Sequence, residues 1–173
     1  ALFVDIETTG LSQQSDEIIE LAMVPFNYGV DGRIFEILPP YQSFQEPSIP
    51  IPDEITRLTG IDHSMVTGRK IDIEAVERLV SEANIIIAHN ASFDRNFLER
   101  LTPSFANTPW GCSAMDIDWR DEGFEGTRLG YLVSLAGFFY DRHRALNDCY
   151  AAIELLAKPL PKSGKIAFEA LLE

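Results

Sequence analysis

Two carboxylates near the N-terminus have a spacing that suits metal binding. Asp5 and Glu7 flank Ile6 at the end of the apolar run Leu2-Phe3-Val4, which is typical of a short buried strand. Alternate residues on a strand leave the same face, so both carboxylates project together, about 6 to 7 Å apart along the chain. They can therefore share a metal ion. On the Asp-x-Glu pattern alone, two solvated acids at a strand end are the commoner explanation.

Two further acids stand where predicted helices begin. Asp94 falls in the first turn of a helix that follows the buried segment Asn84 to Ala88, and ligand sites in α/β sheets gather at such strand ends. Its alternative role is a first-turn acid that interacts favourably with the helix dipole. Asp148 falls in the first turn of the last long helix. Both acids are therefore candidate ligands for the same metal site.

His143 lies in the loop just before the helix that carries Asp148. An imidazole with a pKa near ~6.5 accepts a proton near neutrality, as a base that activates water must do. A lone histidine at such a place is more often a surface residue. Together, however, the four acids and this histidine form a set of oxygen ligands for Mg²⁺ or Mn²⁺ with a base beside it. Such a set is best suited to phosphodiester hydrolysis.

The elements that position these residues predict an α/β fold with a central mixed sheet flanked by helices. Strands are predicted at Leu2 to Ile6, Glu17 to Phe26, Arg33 to Leu38, Asn84 to Ala88 and Gly111 to Met115. The first three of these would form an antiparallel meander. Helices are predicted at Asp53 to Gly60, Ile71 to Ala83, Ser92 to Leu101, Leu129 to Ala136 and Leu146 to Leu156. The proline-rich segment Pro39 to Pro52 is predicted to be a loop.

Length and composition indicate one globular domain. The chain has 173 residues, of which 46% are hydrophobic, enough for a single core. We expect residues 1–158 to form the domain and residues 159–173 a C-terminal tail or peripheral arm. The apolar runs are much shorter than the ~20 residues that cross a bilayer, so no membrane association is expected. Cys112 and Cys149 lack metal-binding or redox spacing, which favours a reduced, cytoplasmic compartment.

The net charge of −13 limits how the chain can hold a polyanion. It argues against a broad basic surface that grips phosphates by counterion release. Any contact with nucleic acid must then be local or metal-mediated. Four arginines are candidates to steer a strand, with solvated surface side chains as the alternative: Arg95, Arg128, Arg142 and Arg144.

Three segments of the chain resemble the DEDDh exonucleases, a family that includes the proofreading epsilon subunit of bacterial DNA polymerase III, ribonuclease T and oligoribonuclease. The segments are Phe3 to Leu11 (FVDIETTGL), Ile87 to Phe97 (IAHNASFDRNF) and His143 to Asp148 (HRALND). They occur in the family's order and at its usual separations, and the resemblance extends over roughly residues 2 to 157. It implies a ribonuclease-H-like fold.

The resemblance also implies a role for each motif residue. Two Mg²⁺ or Mn²⁺ ions would be held by the four carboxylates, which are Asp5, Glu7, Asp94 and Asp148. His143 would be the general base. Thr8 and Asn90 would contact the terminal nucleotide, and Leu11 would pack against its base. From the residues alone, Thr8 is equally suited to bonding the turn, Asn90 to capping a helix and Leu11 to the core.

The function expected from the resemblance is 3′→5′ exonuclease activity on single-stranded DNA or RNA, with release of nucleoside 5′-monophosphates. The expected partners are nucleic acid 3′ ends and a DNA polymerase or repair assembly. One alternative is a catalytically silent module of the same fold that binds a polymerase or another protein. A second is an endonuclease or a different metal phosphoesterase. The sequence leaves the sugar preference and the oligomeric state open.

Overall fold

A computed structural model describes all 173 residues and shows a six-stranded mixed sheet flanked by helices. The strands are β1 (Leu2–Thr8), β2 (Ile18–Tyr28), β3 (Ile34–Ile37), β4 (Tyr41–Phe44), β5 (Ile86–Ala88) and β6 (Trp110–Cys112). The helices are α1 (Asp53–Thr59), α2 (His63–Val66), α3 (Ile73–Glu82), α4 (Ala91–Leu101), α5 (Leu129–Leu135), α6 (Ala145–Leu156) and α7 (Ala167–Leu172). A 3₁₀ helix covers Pro103–Asn107.

The strand order is β3-β2-β1-β5-β6, with β4 also paired to β2. The long strand β2 pairs antiparallel with β1, β3 and β4, whereas β1–β5 and β5–β6 are parallel. The predicted mixed sheet with an antiparallel meander is therefore confirmed. The strand that carries Asp5 and Glu7 lies at its centre, where the antiparallel and parallel halves meet.

One prediction about the sheet is wrong. The segment Pro39 to Pro52, expected to be a loop, contains β4, whose Tyr41–Phe44 pairs with Glu20 to Met23 of β2. The prolines stand outside the paired residues, where a missing backbone N–H costs no ladder hydrogen bond. A partner strand that is distant in the chain decides the structure of this segment, and local composition does not show it.

Side chains of β1 divide the core into two layers. Leu2, Val4 and Ile6 pack on one face of the sheet with residues of α3 and α4. Phe3 packs on the other face with residues of α5, α6 and α7. Because strand residues alternate between faces, Asp5 and Glu7 share the face of Phe3, which is the face that α6 covers.

The last residues of the chain pack against this second layer. Leu160, Ala167 and Phe168 are buried members of its core cluster, and the Phe168 ring meets those of Phe26 and Tyr28 edge-on at 5.3 and 4.9 Å. Residues 159–173 were expected to form a tail or peripheral arm, but several of them contribute to the core. The domain boundary after residue 158 stays a prediction. None of the helices combines the length and apolarity that crossing a bilayer requires.

Candidate active site

Three of the predicted ligands lie together at the end of β1. Single carboxylate oxygens of Asp5, Glu7 and Asp148 all lie within 4.8 Å of one another, and each side chain is half-buried. The two acids of β1 face α6 for the reason given above, and Asp148 stands in the first turn of that helix. Three oxygens at this separation can hold a divalent cation.

Both oxygens of Asp148 are held in place by the segment before α6. The Tyr140 hydroxyl donates to Oδ1 at 2.8 Å, and the backbone N–H of His143 donates to Oδ2 at 3.0 Å. His143 has a φ of +62°, a left-handed conformation that non-glycine residues seldom adopt. This turn therefore fixes the carboxylate and presents the exposed His143 beside it.

Asp94, the fourth predicted ligand, lies outside the 4.8 Å group. It is 3% exposed, and its Oδ1 accepts a hydrogen bond from the backbone N–H of Ile6 at 3.2 Å. On the same edge of β1, the N–H of Leu2 donates to Ile85 O. Phe3 is the last residue of β1 that pairs with β5. Asp94 thus takes the place of a strand partner where β5 has ended.

The crowded carboxylates are costly to ionise in the metal-free chain. Burial raises the pKa of Asp5 well above its usual value, and the negative charges of Asp94, Asp148, Glu7 and Glu20 raise it further. Burial together with neighbouring acids raises the pKa of Glu7 to about 8, and burial raises that of Asp94 to about 8. The pKa of Asp148 is also raised by burial. A bound cation would remove this penalty.

The donor atoms suit a hard divalent cation. All four candidate ligands are carboxylates, the oxygen donors that Mg²⁺ and Mn²⁺ prefer. The nearby Cys149 is fully buried, and its thiol points towards Phe3 O and Ala22 O at 4.0 and 3.8 Å. Burial raises the pKa of this thiol well above its usual value, so it stays protonated and is no competing soft ligand.

A fifth acid, Glu20, supports the site from β2. It is fully buried and lies opposite Glu7 in the strand register. Its carboxylate accepts from Arg144 Nη2 at 3.0 Å, Ala145 N at 3.1 Å and Gln42 Nε2 at 2.8 Å. An acceptor on the first N–H of α6 also interacts favourably with the helix dipole. Glu20 and Arg144 thus anchor the start of the helix that carries Asp148.

Sequence reasoning missed Glu20 and Tyr140. A signal existed for Glu20, because it is the one charged residue within the apolar run Ile18 to Val24, and a charge inside a buried strand requires a partner. Tyr140 had no such signal, since its contact with Asp148 depends on the turn between them. The structure also assigns Arg144, one of the four candidate steering arginines, to the ion pair with Glu20.

A cleft of about 540 Å³ leads to Asp148 and is lined by His143 and Asn90 among others. His89 also lines it, with Nδ1 2.9 Å from Ser113 Oγ and Nε2 2.6 Å from Thr127 O. Burial lowers the pKa of His89. Both ring nitrogens of His89 are thus engaged by the protein, and its side chain forms part of the cleft wall.

The three predicted nucleotide-contacting residues differ in their surroundings. Leu11 is 85% exposed, which excludes a place in the core. Asn90 directly precedes α4, has a φ of +69° and makes no side-chain capping bond; it is exposed and lines the cleft. Thr8 is buried, and its hydroxyl donates to Gly10 O at 2.6 Å, which is the turn-bonding alternative.

The metal-free protein is expected to lose stability as pH rises. Glu7 and Asp94 have pKa values raised to about 8 in the folded chain, against ~4 when unfolded. A carboxyl group whose pKa is raised by folding does not reduce the free energy of unfolding below about pH 4, where it is protonated in both states. Between pH ~4 and about 8 it reduces that free energy increasingly. Melting temperatures in chelator should therefore fall from pH 5.5 to pH 8.5. Mn²⁺ should reduce the fall, and a flat or rising profile would contradict the crowded site.

Several known proteins are similar to this chain. The family model RNase_T, described as "Exonuclease", matches residues 2–156. The chain is 32% identical over 175 residues to "DNA polymerase III PolC-type" of Caldanaerobacter subterraneus subsp. tengcongensis, and 38% identical over 184 residues to the protein of the same name from Staphylococcus epidermidis. Each match covers 98% of this chain but 12% of the relative. The chain thus spans about an eighth of these relatives' length.

Solved structures show the same fold. Exonuclease X in complex with 5′ overhanging duplex DNA has a TM-score of 0.70 and 27% identity, covering 98% of both chains. Escherichia coli exonuclease I in complex with a dA16 oligonucleotide has a TM-score of 0.72 and 19% identity, covering 97% of this chain and 42% of its own. The chain belongs to the RNase_T exonuclease family, whose members here are of the DEDD type, and it has a ribonuclease-H-like fold.

Proposed function

We propose that the chain removes nucleotides one at a time from the 3′ end of single-stranded DNA and releases nucleoside 5′-monophosphates. The observation that carries this proposal is the cluster of Asp5, Glu7 and Asp148, because Asp148 also lines a cleft together with His143. Support for DNA comes from the relatives, which are named as DNA polymerases, and from exonuclease X, which was solved with DNA. A polymerase or repair assembly is the proposed setting.

Each residue has a role in this reaction. The four carboxylates would hold two divalent ions, Mg²⁺ or Mn²⁺, and such ions would supply positive charge for the scissile phosphate and lower the pKa of the attacking water. Four carboxylates supply the −4 charge that balances such a pair. The backbone N–H of His143 donates to Asp148, which holds the main chain of His143 beside the acids.

His143 acts as the general base in this proposal. It is exposed and precedes α6, so its imidazole can approach the phosphate and accept a proton from the attacking water. Asn90 and Leu11 contact the terminal nucleotide. Asn90 uses its side-chain amide, which makes no helix-capping bond, and Leu11 uses its exposed apolar side chain. Thr8 contributes through the turn that its hydroxyl bonds to Gly10 O.

The alternatives predict different products. A silent binding module has no need of a complete set of acids, and all four acids and the histidine are present. An endonuclease with the same acids would cut a strand without a free end.

The test uses 5′-labelled single-stranded DNA with a free or a chemically blocked 3′ end, with RNA in parallel, in Mg²⁺, Mn²⁺ or chelator. We expect a metal-dependent ladder that shortens from the free 3′ end and no cleavage of the blocked strand. Cleavage of a circular single strand would instead identify an endonuclease. Failure of every substrate with both metals would favour the silent module.

A further inference from the structure

Two arginines line the cleft that leads to the acids. Arg142 directly precedes His143, and Arg128 directly precedes α5. Both share the cleft with Asp148 and His143. In a chain with a net charge of −13, positive charge at this place is the local kind of contact that a polyanion requires.

Neither arginine is occupied by the protein. The salt bridges of the structure involve Arg33, Arg95, Arg144, Lys158, Lys162 and Lys165. No side-chain hydrogen bond engages the guanidinium of Arg128 or Arg142, in contrast to Arg144, which is bound to Glu20. Arg95 pairs with Glu99 at 2.6 Å. Of the four arginines that are candidates to steer a strand, only Arg128 and Arg142 are therefore free to bind phosphate.

Close packing brings the two arginines to one wall. The Arg142 guanidinium lies directly over Gly130, where an added Cβ would be 2.5 Å from Arg142 Cζ. Gly130 is only two residues beyond Arg128, so the absence of a side chain there lets Arg142 lie against the start of α5. Met115, which is 72% exposed, lines the same cleft and offers an apolar, polarizable surface.

We propose that Arg128 and Arg142 bind backbone phosphates of the nucleotides on the 5′ side of the scissile bond. The strand would then run from the acid cluster along the α5 wall, with Met115 against one of its bases. This proposal rests on the proposed function, since it assigns the path of the same substrate. Guanidinium groups suit phosphate oxygens because they donate in a planar fork.

The test compares two substrates that share the thymidine 5′-phosphoryl group at which cleavage occurs and differ in the leaving group. The p-nitrophenyl ester of thymidine 5′-monophosphate has no nucleotide on the 5′ side of the cleaved bond, whereas an oligothymidylate has many. For the double variant Arg128→Ala/Arg142→Ala, kcat/KM on the oligonucleotide should fall at least about tenfold, and on the ester less than about threefold. The association constant for the oligonucleotide falls as salt rises. Removing two phosphate contacts should make the slope of log K against log salt concentration less negative by about 1.4.

Two controls accompany the double variant. Arg57→Ala/Arg120→Ala removes the same charge from exposed arginines outside the cleft and should leave both substrates and the salt slope unchanged. Arg128→Lys/Arg142→Lys keeps the charge and should retain the salt slope. Anisotropy of a fluorescent, 3′-blocked oligothymidylate in Mg²⁺ measures binding without turnover.

The outcomes separate this proposal from the proposed function. Equal losses on ester and oligonucleotide, or an unchanged oligonucleotide affinity and salt slope in the double variant, would overturn the phosphate path. If the native protein hydrolysed neither substrate, the proposed function would fail. The anisotropy of native and double-variant protein would then still decide whether these arginines bind the strand.

Discussion

Asp94→Asn is expected to abolish hydrolysis while leaving the metal-free fold at least as stable as the native one. The substitution removes a charge that burial makes costly, as the pKa raised to about 8 indicates. The asparagine amide oxygen can still accept the hydrogen bond from Ile6 N that the native carboxylate accepts. The variant therefore loses a ligand charge without losing the contact that joins α4 to β1.

Thermal melts in chelator at pH 8 measure this effect. We expect the melting temperature of Asp94→Asn to be unchanged or raised by roughly 2–4 °C, the shift that ~1 kcal/mol gives in a domain of this size. Glu54→Gln, which removes an exposed charge on α1, serves as the control and should stay within ~0.5 kcal/mol of native. A large fall for Asp94→Asn would make Asp94 a structural residue and remove the main support for its ligand role.

Arg144→Ala is expected to destabilise the fold by about 2–4 kcal/mol. The substitution leaves the fully buried Glu20 without its charged partner. We place the loss below that of a completely buried ion pair because about a third of the Arg144 side chain remains exposed. Urea denaturation measures the loss, and Arg95→Ala, which breaks the exposed pair with Glu99, should cost less than ~1 kcal/mol.

The double variant Arg144→Ala/Glu20→Gln completes the comparison. Replacing Glu20 removes the unpaired charge, while the glutamine oxygen can still accept from Ala145 N, as Glu20 does. The double variant should therefore be more stable than Arg144→Ala alone. A single variant that costs no more than Arg95→Ala would show that the ion pair does not anchor α6.

The sequence predicted correctly those helices and strands whose buried residues recur at the spacing of a helix or a strand. The apolar run Leu2-Phe3-Val4 correctly predicted the buried strand β1, and the helical period of Ile73 and Val76 matches α3. β4 was missed because it pairs with a strand that is distant in the chain, and because the prolines on both sides of it indicate a loop. Local sequence carries no information on such a partner.

The site shows the same division. Strand alternation predicted that Asp5 and Glu7 share one face, and Asp148 was predicted to join them from the first turn of the last long helix. In the structure, one carboxylate oxygen of each lies within 4.8 Å of the others. The contact between Asp94 and Ile6 N was beyond sequence reasoning, because it depends on where β5 ends in space. The anchoring of α6 by Glu20 likewise joins residues that are 125 positions apart.

The most direct test of the account is the degradation of 5′-labelled single-stranded DNA by the native chain and by His143→Ala, each with Mg²⁺, Mn²⁺ or chelator. His143 N donates to Asp148 through the backbone, so the alanine variant keeps that contact and loses only the imidazole. We expect a metal-dependent ladder from the 3′ end for the native chain, and a rate roughly 10²- to 10⁴-fold lower for His143→Ala. A variant as fast as the native protein would contradict the histidine base, and the absence of any ladder from the native chain would contradict the exonuclease site itself.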